Sequence, residues 1–402
     1  MNTAILQRVP KVPRDSIVAR VLLAFLATAG FFYVNIMPAV VDGLKAGLGF
    51  SNKQAGLVGS FNVYGAACGA FLIAFFVRRL DWRKSAHLLL FGLIAMDLLS
   101  MLLRNPFALM GARFLQGFIG GMLVGISFSI FARTTAPDRT FGVLLLVQVF
   151  AGGFGVMTLP LLVPRFGTNI LFATLILFSL TTLVMLQFLP DYPGSSSSGG
   201  HVAADAVQLQ PLLLALLSVF FFQAANMGLF AFIIGLGEHF GLQLTFISAT
   251  LGIANWVAML GALAVVVAST RFGIFKSVLA GTVLALGGTY LFYDCGVKWI
   301  WIAANVSTGI AWNFVISHLL GMSARFDQTG QTAAWAGFAS KMGLASGPML
   351  FSFIVGGGNY SILIAASLGL LILAMLASAI PAWLLDHSSA SKNAEAATEM
   401  GS

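Results

Sequence analysis

Asp97 and Arg113 have the clearest capacity for chemistry, because each stands inside a long apolar stretch. Each lies eight residues from Asn105, the tip of a short hairpin between two predicted helices. At 1.5 Å per residue, antiparallel helices bring the two side chains to the same depth, about 12 Å from the tip. Because an unpaired charge is costly in an apolar environment, the spacing predicts an ion pair. The pair could be a structural clamp, or Asp97 could carry a proton and release Arg113 when protonated.

Lys341 lies eleven residues into another apolar stretch, with no acidic residue nearby in the sequence. From that depth the ammonium group is too far from either end of a helix to reach water along its own side chain. It therefore requires a partner, and three remain open. These are an anionic group of a solute, a structural partner such as backbone carbonyl groups, or a role in ion coupling.

The composition predicts a membrane environment around these residues. Of the 402 residues, 59% are hydrophobic and 8% are charged, whereas about a quarter of a soluble globular chain is charged. Soluble classes are therefore excluded, and so is disorder outside the ends and one linker. The apolar runs are long and continuous, unlike the alternating segments of an outer-membrane barrel, so we predict an all-α membrane protein with twelve transmembrane helices. The predicted spans 1 to 12 cover 20–41, 54–77, 85–103, 107–132, 139–163, 167–189, 211–236, 243–268, 275–293, 299–322, 330–355 and 359–385.

The spans group into two bundles of six helices. We predict a cytoplasmic tail at 1–19, a first bundle at 20–189, a cytoplasmic linker with four consecutive serines at 190–210, a second bundle at 211–385 and a disordered cytoplasmic tail at 386–402. Fourteen Lys and Arg residues lie on the side of the termini and five on the opposite side. This bias predicts that both termini are cytoplasmic. The net charge of +8 lies mostly in loops and does not indicate a nucleic-acid partner.

The two bundles form an internal repeat. An offset of 192 residues aligns Gly69 with Gly261 and Arg133 with Arg325, and it also aligns basic residues of other loops. Because six spans separate the members of each pair, the two halves have the same orientation, related by an axis along the membrane normal. Such halves enclose a site near the midplane that can open to either side in turn.

The most specific motif lies in span 4, where residues 113–121 read RFLQGFIGG. It is similar to the R-x-x-Q-G-x-G motif of the major facilitator superfamily of secondary transporters, and the chain resembles that family in layout over nearly its whole length. The loop at 78–84 reads RRLDWRK where the family has G-x-x-x-D-R-x-G-R-R, and it keeps only the basic residues. Family antiporters usually have a Gly-Pro pair in span 5, but here the pair is Gly347-Pro348 in span 11. This departure favours uptake by symport.

The resemblance implies a cavity lined mainly by spans 1, 4, 7 and 10, with help from spans 2, 5, 8 and 11. The candidate solute-binding residues in these spans are Tyr33, Asn35, Asn62, Tyr64, Arg113, Gln116, Gln148, Gln223, Asn226, Asn255, Trp256, Asn305, Trp312 and Lys341. Any one of the amides could instead bond neighbouring helices together. Asp97 and Arg113 are the candidates for proton coupling.

The predicted function is proton-coupled uptake of a small organic solute, which could be anionic, by alternating access across the inner membrane. The alternatives are efflux of drugs or other amphipathic compounds and, more remotely, a membrane-embedded enzyme or a sensor that does not transport. There is no G-x-x-x-x-G-K-[ST] sequence for ATP, and two cysteines are too few for a metal site or a disulfide framework. We therefore expect no enzyme activity, no cofactor and no metal, with the solute, protons and the bilayer as partners of a monomer.

Overall fold

The computed structural model describes residues 10–77, 79–192, 209–268, 273–326, 331–356 and 358–399, and for 138, 266–268, 331–334 and 388–399 it describes the backbone alone. The described residues form helices and contain no strand, which confirms the predicted fold class. Twelve helical spans among them are long and apolar enough to cross a membrane. Arg78 and residues 193–208 of the predicted linker lie outside the described residues.

The helix bounds agree with most of the predicted spans to within a few residues. In the first half, span 1 is Ile17–Asn35 followed by Met37–Leu48, and spans 2 to 6 are Asn52–Phe76, Trp82–Leu102, Pro106–Phe131, Pro137–Phe166 and Asn169–Leu186. In the second half, span 7 is Leu209–Ala231 followed by Ile233–His239, and span 8 is Leu244–Val257 followed by Met259–Ala268. Span 9 is Gly273–Tyr290 with a 3₁₀ turn at Leu291–Asp294, and spans 10 to 12 are Lys298–Ala324, Gln331–Val355 and Tyr360–Glu399.

Span 1 is interrupted, although the sequence pattern predicts one continuous helix. Ile36 has φ −108° and ψ 17°, outside the helical region, between the two helical segments. Pro38 explains the break, because a proline has no backbone N–H to donate and its ring clashes with the preceding turn. The second segment runs to Leu48, beyond the predicted end of the span, and stops at Gly49, whose positive φ of 69° suits glycine.

The C-terminus also departs from its prediction. The backbone remains helical from Tyr360 to Glu399, through most of the tail at 386–402 that was expected to be disordered. The tail is polar, but it contains several Ala, Glu and Lys residues, which are among the best helix formers. Helix propensity was therefore a better guide to the backbone there than polar composition.

The described residues divide into two compact units. Unit 1 contains the residues up to 199 together with Ala231–Gly235 and Gln243–Trp256, and unit 2 contains the remainder. Each unit has its own apolar core. Unit 1 thus takes in two short segments of the second half of the chain as well as the first half.

Glycine contacts reproduce the internal repeat. A Cβ atom added at Gly69 would overlap the backbone carbonyl of Phe118, and one added at Gly261 would overlap the carbonyl of Ile310. The offset of 192 residues relates Gly69 to Gly261 and Phe118 to Ile310, so the two contacts are equivalent in the repeat. Spans 2 and 4 therefore approach each other in the first half as spans 8 and 10 do in the second, and both contacts require a residue without a side chain.

Candidate functional site

Asp97 and Arg113 form the ion pair that the hairpin spacing predicts. Asn105 caps the N-terminus of span 4 by accepting hydrogen bonds from the backbone N–H groups of Phe107 and Ala108, so the hairpin tip is fixed. The guanidinium Nη1 of Arg113 donates to the Asp97 carboxylate over 2.8 Å. Arg113 is 0% exposed and Asp97 is 1% exposed. The two charges are thus paired and sealed within unit 1.

The Arg113 guanidinium has further partners besides Asp97. Its Nη2 donates to the Met96 carbonyl over 3.1 Å and to the Ser100 hydroxyl. Its Cζ lies 5.0 Å from the ring centroid of Phe172 and 5.7 Å from that of Tyr33. Such contacts attract a cation to the face of an aromatic ring. The Arg113 side chain is therefore held by hydrogen bonds to two neutral acceptors and by contacts with two aromatic rings, as well as by the carboxylate.

Two buried polar atoms beside this pair have no hydrogen-bond partner among the described residues. They are the Nε atom of Arg113 and the hydroxyl of Tyr33. Tyr33, a predicted solute-binding residue, is 2% exposed and contacts Arg113 through its ring. Unsatisfied buried polar groups are uncommon and are often found where a protein functions.

The side chains of Asn62 and Gln116 are hydrogen-bonded to each other. The Asn62 amide donates to the Arg113 carbonyl over 3.1 Å and to the side-chain oxygen of Gln116. Both side chains are buried, and span 4 approaches span 2 so closely that a Cβ atom at Gly117 would overlap the Asn62 carbonyl. These two predicted amides therefore have the geometry of interhelical hydrogen bonding.

Asn35, Asn255 and Trp256 come together in unit 1 around a glycine pair of span 5. A Cβ atom at Gly152 would lie 3.0 Å from the Asn35 Cβ and 3.3 Å from the Asn255 Nδ2. The indole of Trp256 stacks on Phe150 with centroids 5.6 Å apart, and its N–H points at the Phe150 carbonyl over 3.4 Å. The Nδ2 of Asn35 is buried and finds no hydrogen-bond partner within the part of the chain that the structure describes. Two further predicted residues of unit 1 are partly exposed, namely Tyr64 and Gln148.

Gln223, Trp312 and Ser340 form a hydrogen-bonded chain in unit 2. The indole N–H of Trp312 donates to the side-chain oxygen of Gln223 over 2.7 Å, and the Gln223 amide donates to the Ser340 hydroxyl over 2.8 Å. The chain joins spans 7, 10 and 11. Gln223 and Ser340 are buried, whereas Trp312 is partly exposed.

Asn226 and Asn305 bond to their own helices. Each donates from Nδ2 to the carbonyl four residues earlier, Phe222 and Trp301 respectively, and both distances are 2.8 Å. Their side chains are 8% and 7% exposed. The sequence predicts solute contacts for both, and the structure shows one amide hydrogen of each occupied by the backbone.

Lys341 is partly exposed on a distinct face of span 11. The exposed residues of that helix, Trp335, Leu350 and Phe353, share one side, and Gly343 and Gly347 contact span 7 on another. At 100° per residue, Lys341 lies about 140° from the middle of each of these faces. The ammonium group therefore belongs neither to the outer surface of span 11 nor to its contact with span 7.

The sequence matches the model of the Major Facilitator Superfamily over residues 21–340. The chain belongs to this superfamily. No curated protein sequence matches it. Among solved structures, it is similar to the nucleoside transporter NupG, with a TM-score of 0.70 at 13% identity over 90% of this chain and 99% of NupG.

Two other structures of the superfamily are also similar. One is a D-xylose–proton symporter, with a TM-score of 0.67 at 17% identity over 90% of this chain and 96% of the symporter. The other is a bacterial homologue of the human lysosomal transporter Spinster, with a TM-score of 0.64 at 14% identity over 93% of this chain and 96% of the homologue. At such identities the likeness establishes the fold, and the chain is a multi-pass membrane protein of a family of secondary transporters.

The degenerate superfamily loop after span 2 ties two spans of unit 1 together. Arg83 donates to the carbonyls of Leu186, Leu189 and Pro190 over 3.0, 2.7 and 3.2 Å, and pairs with Asp191 at 3.0 Å. The carbonyls at the end of a helix lack partners within the helix, so a guanidinium there is favourable. The retained arginine therefore joins the start of span 3 to the end of span 6.

Sequence reasoning missed Ser100, Phe172 and Ser340 as members of these groups. Ser100 could have been found, because it lies three residues after Asp97 and shares its face of span 3. The 192-residue offset pairs Ser340 with Gln148, which was a candidate. Phe172 carried no signal, because it is one of 36 phenylalanines in an apolar chain. Among the described residues, no group of three or more His, Cys, Asp or Glu could hold a metal ion.

Proposed function

We propose that the chain is a proton-coupled secondary transporter that takes up a small organic solute, which could be anionic. Membership of the superfamily supports transport. The observation that carries proton coupling is the buried pair of Asp97 and Arg113. In the described part of the chain, Asp97 is the only acidic side chain that is buried. Ionisable residues inside membrane spans are costly and commonly mark ion or proton pathways.

The surroundings of Arg113 support a pair that can separate. When Asp97 takes up a proton, the attraction between the two side chains falls because the carboxyl group becomes neutral. The guanidinium then still has the Met96 carbonyl and the Ser100 hydroxyl as acceptors, and the rings of Phe172 and Tyr33 as neighbours. Protonation therefore would not leave the arginine without partners, which lowers the free-energy cost of separation.

For the solute, we propose contacts with Lys341 and with the partly exposed aromatic and amide residues. Lys341 would neutralise an anionic group, and it is also turned away from the outer face of span 11. The structural neighbours include a nucleoside transporter and a D-xylose–proton symporter. Nucleosides and pentoses therefore belong beside organic acids in a first panel of solutes.

Transport by purified protein in liposomes would test the proposal. With an imposed pH gradient, we expect accumulation of at least one solute of the panel and alkalinisation of the compartment from which solute and protons are taken up together. Asp97→Asn should keep solute exchange between equal concentrations but remove this proton movement. Ser100→Ala is the matched control, because it contacts the same guanidinium but carries no charge, and it should retain coupling.

Two outcomes would contradict the proposal. If Asp97→Asn retains proton movement and only the yield of folded protein falls, the ion pair is a structural clamp. If the pH gradient drives solutes out of the compartment that the wild-type protein should fill, the direction is efflux. Exchange of dyes in place of organic acids would point the same way.

We further propose that the protein lies in the inner membrane with both termini in the cytoplasm. The excess of Lys and Arg in the corresponding loops supports this orientation. A reporter fused after Ser402 that is active only in the cytoplasm should be active, and one that requires export should be inactive. That the transporter acts as a monomer stays a prediction, which the mass of the purified protein in detergent would check.

A further inference from the structure

The indole N–H of Trp312 is already occupied by the protein. It donates to the side-chain oxygen of Gln223 over 2.7 Å, which is a short and favourable distance for such a bond. An indole has one donor and no acceptor. Trp312 therefore has no hydrogen bond left to give a solute, and what it offers is the surface of its ring.

Gln223 is occupied on both sides. Its oxygen accepts from Trp312, and its amide donates to the Ser340 hydroxyl over 2.8 Å. The side chain is 5% exposed. Gln223 is thus better placed to fix the angle of the indole than to contact a solute, with Ser340 holding Gln223 in turn.

The exposed part of Trp312 does not lie on the outer surface of span 10. The exposed residues of that helix include Trp299, Ala303, Ser317 and Gly321, which fall within about 40° of one another at 100° per residue. Trp312 lies about 160° from the middle of this face. Its edge contact with Phe230, at a centroid distance of 5.8 Å and an interplanar angle of 70°, also places it against span 7 within unit 2.

Two other predicted solute-binding amides of spans 7 and 10 also bond to the protein. Asn226 and Asn305 each donate to a carbonyl of their own helix. Asn305 is seven residues from Trp312, so both lie on one face of span 10. Each amide keeps a second N–H and its oxygen for other partners, whereas Trp312, whose single donor is occupied, can offer a solute only the surface of its ring.

We infer that Trp312 recognises its solute by stacking on a planar unsaturated ring, and that Gln223 and Ser340 are positioning residues that fix the plane of the indole. This inference rests on the proposed function, because it names the class of solute that the transporter takes. Two flat aromatic rings attract each other in an offset stack, in which their faces stay in contact. A saturated ring of the same size and charge is puckered and loses part of that contact.

Matched probe pairs would test this with purified protein in nanodiscs. The pairs are benzoate with cyclohexanecarboxylate, benzamide with cyclohexanecarboxamide, and uridine with 5,6-dihydrouridine. In each pair the ring differs in planarity while the charge is the same. For at least one pair we expect the planar probe to bind about 10-fold more tightly, which corresponds to ~1.4 kcal/mol.

The variants separate recognition from folding. Trp312→Ala should abolish the preference for the planar probe, and Trp312→Phe should keep part of it, because a ring remains. Gln223→Ala should reduce the planar-to-saturated affinity ratio, a readout that loss of stability alone would not move. Trp299→Phe is the matched control on the exposed face of the same span and should leave the ratio unchanged.

The inference is overturned if no planar probe binds, if planar and saturated probes bind equally, or if Trp312→Ala retains the preference. These results differ from a failure of the proposed function. Uptake of D-xylose or a saturated acid without any preference for planar rings would overturn the inference and leave proton-coupled uptake standing. Absence of transport for every solute, with intact binding of planar probes, would overturn the proposed function and leave recognition of planar rings standing.

Discussion

The two halves of the chain bury different chemistry at aligned positions. The offset of 192 residues pairs Asp97 with Thr289 and Arg113 with Asn305, and all four side chains are buried. The first half thus holds an ion pair where the second half holds two neutral side chains. Asn305 is satisfied locally, through its bond to the Trp301 carbonyl.

This difference bears on what the ion pair is for. Spans 9 and 10 approach each other closely without it, since a Cβ atom at Gly288 would lie 3.0 Å from the Thr308 methyl group. Packing between these two helices of the repeat therefore does not require charges. A buried ion pair is weak evidence for stability, because its desolvation can exceed its attraction. The comparison favours a role in transport for Asp97 and Arg113.

The largest effect on folding should come from breaking the pair on one side only. Arg113→Ala leaves the Asp97 carboxylate buried without its cation, and we expect a loss of about 3–5 kcal/mol in the free energy of unfolding. Asn305→Ala, the aligned change in the second half, removes one neutral hydrogen bond and should cost about 1 kcal/mol. Thermal unfolding of both variants in the same detergent would check the order, which equal losses would contradict.

Transplanting the residues of the second half into the first sharpens the comparison. The double variant Asp97→Thr with Arg113→Asn has no unpaired charge, so its free energy of unfolding should lie within about 2 kcal/mol of the wild-type value. Proton movement in liposomes should nevertheless be lost. If the double variant is as unstable as Arg113→Ala, the first half needs its ion pair for packing, and the proposed role in coupling loses its main support.

Where the halves agree, equivalent substitutions should have equivalent effects. Gly69→Ala and Gly261→Ala each push a Cβ atom into a facing backbone carbonyl, and such overpacking costs about 1–3 kcal/mol. Gly111→Ala is the control, because its Cβ would meet nothing within 4 Å. There the better helix propensity of alanine should stabilise span 4 by up to about 1 kcal/mol. Unequal losses at Gly69 and Gly261 would show that the repeat is less regular than these contacts indicate.

The sequence was most informative where one short connection fixes the geometry. Asp97 and Arg113 flank a hairpin tip at equal spacing, so their depth and pairing followed from the helical rise alone. The break at Ile36 was missed, although Pro38 two residues later is a signal for it. The chain of Gln223, Trp312 and Ser340 was not accessible, because it joins three spans that are remote in sequence and depends on how they rotate against each other.

Side-chain direction was the second limit. Helical spacing placed Asn226 and Asn305 on plausible faces, but spacing does not show that an amide bonds back to its own helix. In an apolar chain, an amide can bond to the carbonyl four residues earlier in its own helix in place of a neighbouring helix or a solute. The tail at 386–402 shows a similar limit, since polar composition and helix propensity gave opposite indications and the helix continued to Glu399.

The halves also differ in the contact between the end of their sixth helix and the start of their third. These helices are spans 6 and 3 in the first half, and spans 12 and 9 in the second. In the first half, Arg83 donates to the carbonyls at the end of span 6. In the second half, Asp386 of span 12 accepts from the backbone N–H groups of Ile274 and Phe275, over 2.9 and 3.0 Å. Gly273, with φ 74°, lies beside this carboxylate. The same two ends are joined by a cation in one half and by an anion in the other.

The smallest expected effect concerns the helix cap at the start of span 3. In the first half the capping carboxylate comes from the neighbouring residue Asp81, whereas in the second half it comes from the distant Asp386. The Asp81 carboxylate accepts from the backbone N–H groups of Arg83 and Lys84 at the start of span 3. These bonds, with that to Lys84 the largest cause, lower the pKa of Asp81 below its ordinary value. A carboxyl group with a lowered pKa in the folded state stabilises it above the ordinary pKa, and this contribution is lost as the pH falls through the lowered value.

At pH 7, Asp81→Ala should therefore be less stable than wild type by about 0.5–1 kcal/mol, as for other helix caps. The difference should begin to shrink only below about pH 4, where a free aspartate becomes protonated. Asp386→Ala should cost more at pH 7, because it frees two backbone N–H groups and also unties two spans. Unfolding temperatures of the three proteins between pH 7 and pH 3 would check both statements. A constant gap between wild type and Asp81→Ala over that range would show that the carboxylate charge adds nothing to the cap.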